Sequence, residues 1–162
     1  MLFYEAFGLT PALSLDAEDL KKRFYERSRQ WHPDRFSRAS AEEQQKALDM
    51  TSTLNDAFRT LRDPVARAEY FLKENGIELS KEAPPELLEE VFELNMALEE
   101  LRDGDESTRP QLMAAKERFI AMRDAIDASL PATADLEEVR ALLNRRRYIR
   151  NLIREVENVL PN

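Results

Sequence analysis

The sequence predicts an all-α protein, a helical hairpin followed by an antiparallel three-helix bundle. Charged residues make up 35% of the 162 residues and glycine occurs only three times, a composition that suits long amphipathic helices rather than sheets. Apolar residues recur at steps of three and four through most of the chain. Prolines and Asn-Gly or Asp-Gly pairs fall between these periodic segments, where helices must stop.

Taken in order, Phe3 to Leu9 is a short apolar segment ended by Gly8 and Pro11, readable as a brief helix lying on the core. Asp16 is placed to cap a helix whose first turn holds Glu18 and Asp19, which suits the positive end of the helix dipole. Leu20, Phe24 and Trp31, with small Ser28 between them, form one apolar face, and Pro33 forces a stop near His32. Ser40-Ala41-Glu42-Glu43 reads as a capping box for a second long helix. Its stripe of Ala47, Met50, Leu54, Ala57, Phe58 and Leu61 faces the first, making a hairpin that ends at Asp63-Pro64. A shorter helix from Val65 to about Lys73 closes against it and stops at Asn75-Gly76.

Ile77 to Pro85 reads as a short linker, giving domains of residues 1–76 and 85–162 joined by 77–84. Pro85 suits the start of a helix reaching Arg102, broken by Asp103-Gly104-Asp105. A second bundle helix runs from about Thr108 to Leu130 with Leu112, Ala115, Phe119, Met122 and Ile126 inside. After Pro131, Thr133 is the expected cap of a last helix to about Leu160, with Leu136, Val139, Leu143, Ile149, Ile153, Val156 and Leu160 inward. Short connections make the three antiparallel.

Composition excludes several classes of function. The chain has no cysteine, which removes disulfides, thiolate metal sites and cysteine nucleophiles. It shows no basic, apolar leader and no run near the ~20 apolar residues that span a bilayer, so a soluble, cytoplasmic protein with no membrane contact is expected. The net charge of −8 is uneven: 13 acidic and 12 basic residues up to Gly76 give −1, and 19 and 12 beyond it give −7. An acidic chain argues against nucleic-acid binding.

Two stretches stand out. Trp31-His32-Pro33-Asp34 contains the one histidine of the chain and follows a helix whose second half is crowded by Lys21, Lys22, Arg23, Arg27 and Arg29. A helix, a proline-rigid polar corner and a second helix offer a surface for another protein to read. The second stretch is the first bundle helix, where Leu87, Val91, Leu94, Leu98 and Leu101 already supply a core seam. Leu88, Phe92 and Met96 form an additional stripe, rimmed by Glu89, Glu90, Glu93, Glu99 and Glu100. Such a stripe either widens the core face or marks a partner site.

These residues resemble a known family. FYERSRQWHPDRF, followed by a helix ending in TLNDAFRTLRDPVARAEYFL, is similar to a J-domain of the HscB type. His-Pro-Asp alone is only moderately specific, but it stands between a basic helix and a capped helix. The likeness continues through Asn55, Leu61, Pro64, Arg67, Ala68, Tyr70 and Leu72 into an acidic three-helix C-terminal domain, and so covers essentially the whole chain. The resemblance implies a co-chaperone of iron-sulfur cluster biogenesis. It would stimulate ATP hydrolysis by an Hsp70 of the HscA type and deliver the scaffold protein IscU, with no active site, metal or cofactor of its own. His32, Pro33 and Asp34 would be the signalling corner, with Lys21, Lys22, Arg29 and Arg35 offering positive charge to the chaperone.

Leu88 and Phe92 fall where the family places its apolar scaffold-binding pair, Glu93 matches an acidic position, and Tyr148 falls where the family has an aromatic on the last helix. Met96 completes the expected patch. Two departures are visible: Glu89 stands where methionine is common, and Met96 where an acidic residue is common.

Three rival readings remain open on sequence. His32 with Asp34 could suggest a metal site or an acid-base pair, but one histidine and no cysteine leave only carboxylates to complete it, and no nucleophile or glycine-rich phosphate loop accompanies them. Arg145, Arg146, Arg147, Arg150 and Arg154 could suggest nucleic acid, although ion pairs to acidic bundle neighbours explain them as well. A J-protein with a different client protein would share the same corner.

Overall fold

A computed structural model describes residues 1–160, and helices are the only regular elements among them. By Cα packing the chain divides into two compact units, one of Met1–Ile77 with Pro131–Ala134 and the other of the remaining residues from Glu78.

The first unit contains α1 (Leu2–Ala6), α2 (Ala17–Gln30), α3 (Ala41–Arg62) and α4 (Pro64–Glu74). Local chemistry sets each boundary. The Asp16 carboxylate accepts the Glu18 and Asp19 N–H groups at 3.0 and 3.1 Å, and Arg27 and Arg29 complement the negative end of α2. Ser40 Oγ accepts the Glu43 N–H at 3.2 Å to open α3. Asp63, held extended by the proline that follows, ends α3 and caps α4 through the Val65 N–H. Gly76, at φ +72°, takes the left-handed position that closes α4, where a side chain would be strained.

The hairpin faces meet as the periodicity requires. Tyr4, Phe7, Leu20, Leu54, Ala57 and Leu61 are buried together, with Phe24, Trp31, Phe58, Tyr70 and Phe71 packed against them. Phe24 stacks on Phe58 at 4.2 Å between ring centroids, which locks α2 to α3. Burial holds the Tyr4 and Tyr70 hydroxyls above the ordinary tyrosine range. Arg67 is buried as well. Its Nε donates to Leu13 O at 2.9 Å and its Nη1 to Leu61 O at 2.7 Å, tying α4 to the end of α3 and to the loop before α2. Burial lowers its pKa, against the opposing pull of Tyr4 and Asp63.

The second unit is the expected bundle of α5 (Leu88–Arg102), α6 (Arg109–Ser129) and α7 (Leu136–Val159). Its core is built from Leu87, Leu94, Leu98 and Leu101, from Leu112, Phe119 and Ile126, and from Val139, Leu143, Ile149, Leu152, Ile153 and Val156. Gly104, at φ +100°, turns the chain between α5 and α6.

Two boundaries differ from expectation. Pro85–Leu87 forms a 3-10 turn and α5 proper begins at Leu88, because consecutive prolines withhold two N–H donors and hold Pro84 extended. The last helix is capped by Asp135, whose carboxylate accepts the Glu137 N–H, rather than by Thr133. A 3-10 turn at Leu130–Ala132 carries the chain onward first, and the carboxylate is then the cap next to the helix. The segment after Ile77 is held by side chains of α7. Arg140 Nε donates to Glu78 O at 3.2 Å, and the Ser80 N–H donates to Asn144 Oδ1 at 2.8 Å, so it runs along α7.

Candidate functional site

Two surfaces carry the residues singled out by the sequence. The first is the corner between α2 and α3. Its backbone is pinned from behind by α3: Gln44 Nε2 donates to Phe36 O and Ser37 O at 3.0 and 3.2 Å, and Thr51 Oγ shares its one proton between Ala47 O at 2.8 Å and Trp31 O at 3.1 Å. The Trp31 ring stacks on Phe36 at 5.8 Å with the Lys46 ammonium 5.5 Å from its centroid. Between these anchors Pro33–Phe36 winds into a 3-10 turn closed by Arg35 N–H to His32 O at 2.9 Å.

The side chains on this fixed backbone point outward. His32 is 59% and Asp34 93% exposed. His32 Nδ1 accepts the Asp34 N–H at 3.2 Å, an arrangement that places the ring proton of the neutral imidazole on Nε2, free to meet a partner. The Asp34 carboxylate lies 3.7 Å from the same Nδ1. It adds negative charge beside the ring without capturing it in a hydrogen bond.

A broad cleft of about 750 Å³ runs from this corner along α2, lined by Tyr25, Glu26, Ser28, Arg29, Gln30, His32 and Arg35. Arg29 and Arg35 therefore meet His32 at one site. Lys21 and Lys22 are exposed farther back on the same helix, Lys21 two turns before Arg29 on its face. None of these four cations forms an ion pair among the described residues. Sequence reasoning missed Tyr25, 54% exposed at the centre of this face. Its signal was available: it lies four residues from both Lys21 and Arg29 and off the Leu20, Phe24, Trp31 stripe. Gln44 and Thr51 carried no signal, since only the folded hairpin brings them to the corner.

The second surface is on α5. Leu88, Phe92 and Met96 are 55%, 65% and 48% exposed, whereas Leu87, Leu94 and Leu98 are at most 3% exposed. The additional stripe is therefore a surface feature and not a widening of the core. Glu93 is exposed on an adjoining face, in a groove with Glu90, Ala97, Gln111 and Arg118. Tyr148, half-buried on α7, lines a different cleft with Ser80, Lys81, Asn144, Arg147 and Asn151. Among the described residues no group of three or more histidine, aspartate or glutamate side chains could hold a metal ion, and no helix is long and apolar enough to cross a membrane.

Comparison with known proteins places the two surfaces in two different family domains. Residues 2–70 match the DnaJ domain, and residues 83–157 match the HSCB C-terminal oligomerisation domain. The Co-chaperone protein HscB homolog of Vibrio vulnificus (strain CMCP6) is 33% identical over 171 residues, spanning 98% of this chain and 96% of the relative. The chain belongs to the HscB family. Its HscB homolog in Neisseria meningitidis serogroup B is 39% identical over 110 residues, 64% of this chain and 65% of that protein.

Solved HscB structures share the all-helical architecture. Chaperone HscB from Vibrio cholerae superposes with a TM-score of 0.62 at 32% identity, covering 98% of this chain and 97% of that one. The human co-chaperone protein HscB gives 0.60 at 26% identity, covering 96% and 80%. This chain is thus a member of a J-domain co-chaperone family, with the His32-Pro33-Asp34 corner in its J-domain and the α5 stripe in its C-terminal domain.

Proposed function

We propose that this HscB-family protein docks on an ATP-bound Hsp70 of the HscA type, stimulates ATP hydrolysis by that partner, and delivers to it the iron-sulfur scaffold protein IscU. The observation that carries the proposal is an exposed histidine and aspartate on a backbone corner braced by α3. A pre-ordered corner loses little conformational freedom on docking, so its contacts go into binding rather than into ordering. Pro33 sets the geometry, His32 and Asp34 present a donor and an acceptor, and Lys21, Lys22, Arg29 and Arg35 steer an acidic chaperone surface toward them.

In this reading hydrolysis takes place in the chaperone. The chain is an activator and adaptor that needs no cofactor and acts in the cytoplasm. Residues 1–76 serve as the J-domain, 77–84 as a linker, and 85–162 as the scaffold-binding domain, of which residues 161–162 lie outside those described. Leu88, Phe92 and Met96 bury apolar surface against IscU, with Glu93 at their edge and Tyr148 contributing from α7. A different client remains the second reading, favoured by Glu89 and Met96, which depart from the family pattern inside the patch itself.

Single-turnover ATP hydrolysis by the Hsp70, measured with and without this protein, tests the first half. His32→Gln keeps a hydrogen-bonding side chain and the fold but should lose about 90% or more of the stimulation, equivalent to about 1.4 kcal/mol of coupling. A His32→Gln protein that stimulates like the wild type would overturn the assignment. Calorimetric titration with IscU tests the second half, and no detectable binding would transfer the role to another client.

A further inference from the structure

The arginines of α7 divide into two kinds. Arg145 approaches Glu86 at 3.4 Å, and Arg146 meets both carboxylate oxygens of Asp127 through Nε and Nη2. Arg147, Arg150 and Arg154 are exposed and form no ion pair among the described residues. Spaced three and four residues apart, these three lie along one face of the helix, where like charges destabilise it.

The stripe opens at Arg147 into the cleft of about 170 Å³ that also holds Lys81, Asn144, Asn151 and Tyr148. Lys81 is exposed and unpaired among the described residues. Asn144 spends its carbonyl oxygen on the Ser80 N–H, which leaves its amide N–H groups as donors. Two cations and amide donors around one concavity form the chemistry that receives a carboxylate, and an arginine fork binds it in two places.

The stripe spans about 10 Å of helix axis, the length of a few extended residues and too short for a duplex footprint. Tyr148, which belongs to the proposed client patch, lines this cleft beside Arg147 and Lys81, so the basic stripe opens next to that part of the patch. We infer that Lys81, Arg147, Arg150 and Arg154 form a second client contact, which takes a carboxylate-rich segment of the protein held on the α5 stripe. This inference rests on the proposed client-docking role of α5.

The test is calorimetric titration of the full chain with IscU between about 50 and about 500 mM salt. The proteins compared are wild type, Arg147→Gln/Arg150→Gln/Arg154→Gln, the corresponding triple lysine variant, and Leu88→Ala/Phe92→Ala. All the substituted positions are exposed, so folding should persist. The glutamine variant should bind about tenfold more weakly at low salt and converge with wild type at high salt. The lysine variant should keep the salt dependence, and the apolar variant should be weaker at every salt concentration. A glutamine variant with wild-type affinity and salt dependence, beside a weakened Leu88→Ala/Phe92→Ala, would overturn the inference and leave client docking on α5 intact. Absence of IscU binding by the wild type would overturn both. Binding of a short single-stranded DNA, or self-association seen by sedimentation, that is lost in the glutamine variant would give the stripe a different occupant and overturn the inference.

Discussion

Replacing Leu88 and Phe92 by alanine should separate binding from folding. Phe92 is 65% exposed, which leaves about 130 Å² of a side chain of roughly 200 Å² in water. At about 25 cal/mol per Å², covering it completely is worth about 3 kcal/mol. Leu88 is 55% exposed, and covering that half adds about 1 kcal/mol. The double variant should therefore lose up to about 4 kcal/mol of client affinity, and about 2 kcal/mol if only half of this surface is covered, a weakening of about thirtyfold to about seven-hundredfold.

Folding stability should change by less than about 0.5 kcal/mol, since both side chains already face water in the free protein. Leu98→Ala is the contrast: at 3% exposure it should destabilise the bundle by about 2–5 kcal/mol through the cavity it leaves. Calorimetry with IscU reads the first quantity and far-UV circular dichroism during heating reads the second. A dissociation constant within about twofold of wild type, or a destabilisation matching that of Leu98→Ala, would refute the assignment of this face.

Two further outcomes concern the first unit, which the single tryptophan, Trp31, reports by fluorescence. Arg67→Met should destabilise it by about 3 kcal/mol, because the Leu13 and Leu61 carbonyls lose their buried donor; a shift in the urea midpoint worth less than about 1 kcal/mol would show that those carbonyls find other partners. Alkaline pH should destabilise the same unit. Folded Tyr4 and Tyr70 hold their protons above the usual value of 10.0, so above that pH the unfolded chain binds fewer protons and stability falls as pH rises, while below it the full contribution is present. Urea midpoints measured from about pH 8 to about pH 11 should decline less steeply in Tyr4→Phe/Tyr70→Phe, and an equally steep decline would assign the effect to other groups.

The legible parts of the functional surface are those written in adjacent residues. His32-Pro33-Asp34 reads as a rigid exposed corner because proline restricts itself and its predecessor whatever surrounds them. The bracing by Gln44 and Thr51 was not legible, because Thr51 reaches a carbonyl 20 residues away and its side chain also bonds locally to Ala47 O. Tyr25 lies between these cases: periodicity removes it from the core stripe, but only the folded helix shows it beside Arg29 and His32.

The sequence by itself determined the all-α class, the hairpin-and-bundle order and most helix ends, since caps such as Asp16, Ser40 and Asp63 act within three residues of where they stand. Tertiary structure alone decided whether the second apolar stripe of α5 widens the core or faces water. Leu88, Phe92 and Met96 are as apolar as the seam of Leu87, Leu94 and Leu98, and their exposure depends on where α6 and α7 lie. It also decided the fate of the arginine run. Arg146 finds Asp127 across the bundle, 19 residues away, while Arg147, one residue on, is turned about 100° around the helix into solvent. Local preferences set where a helix begins and ends, but the direction in which its faces point is a property of the whole packed domain.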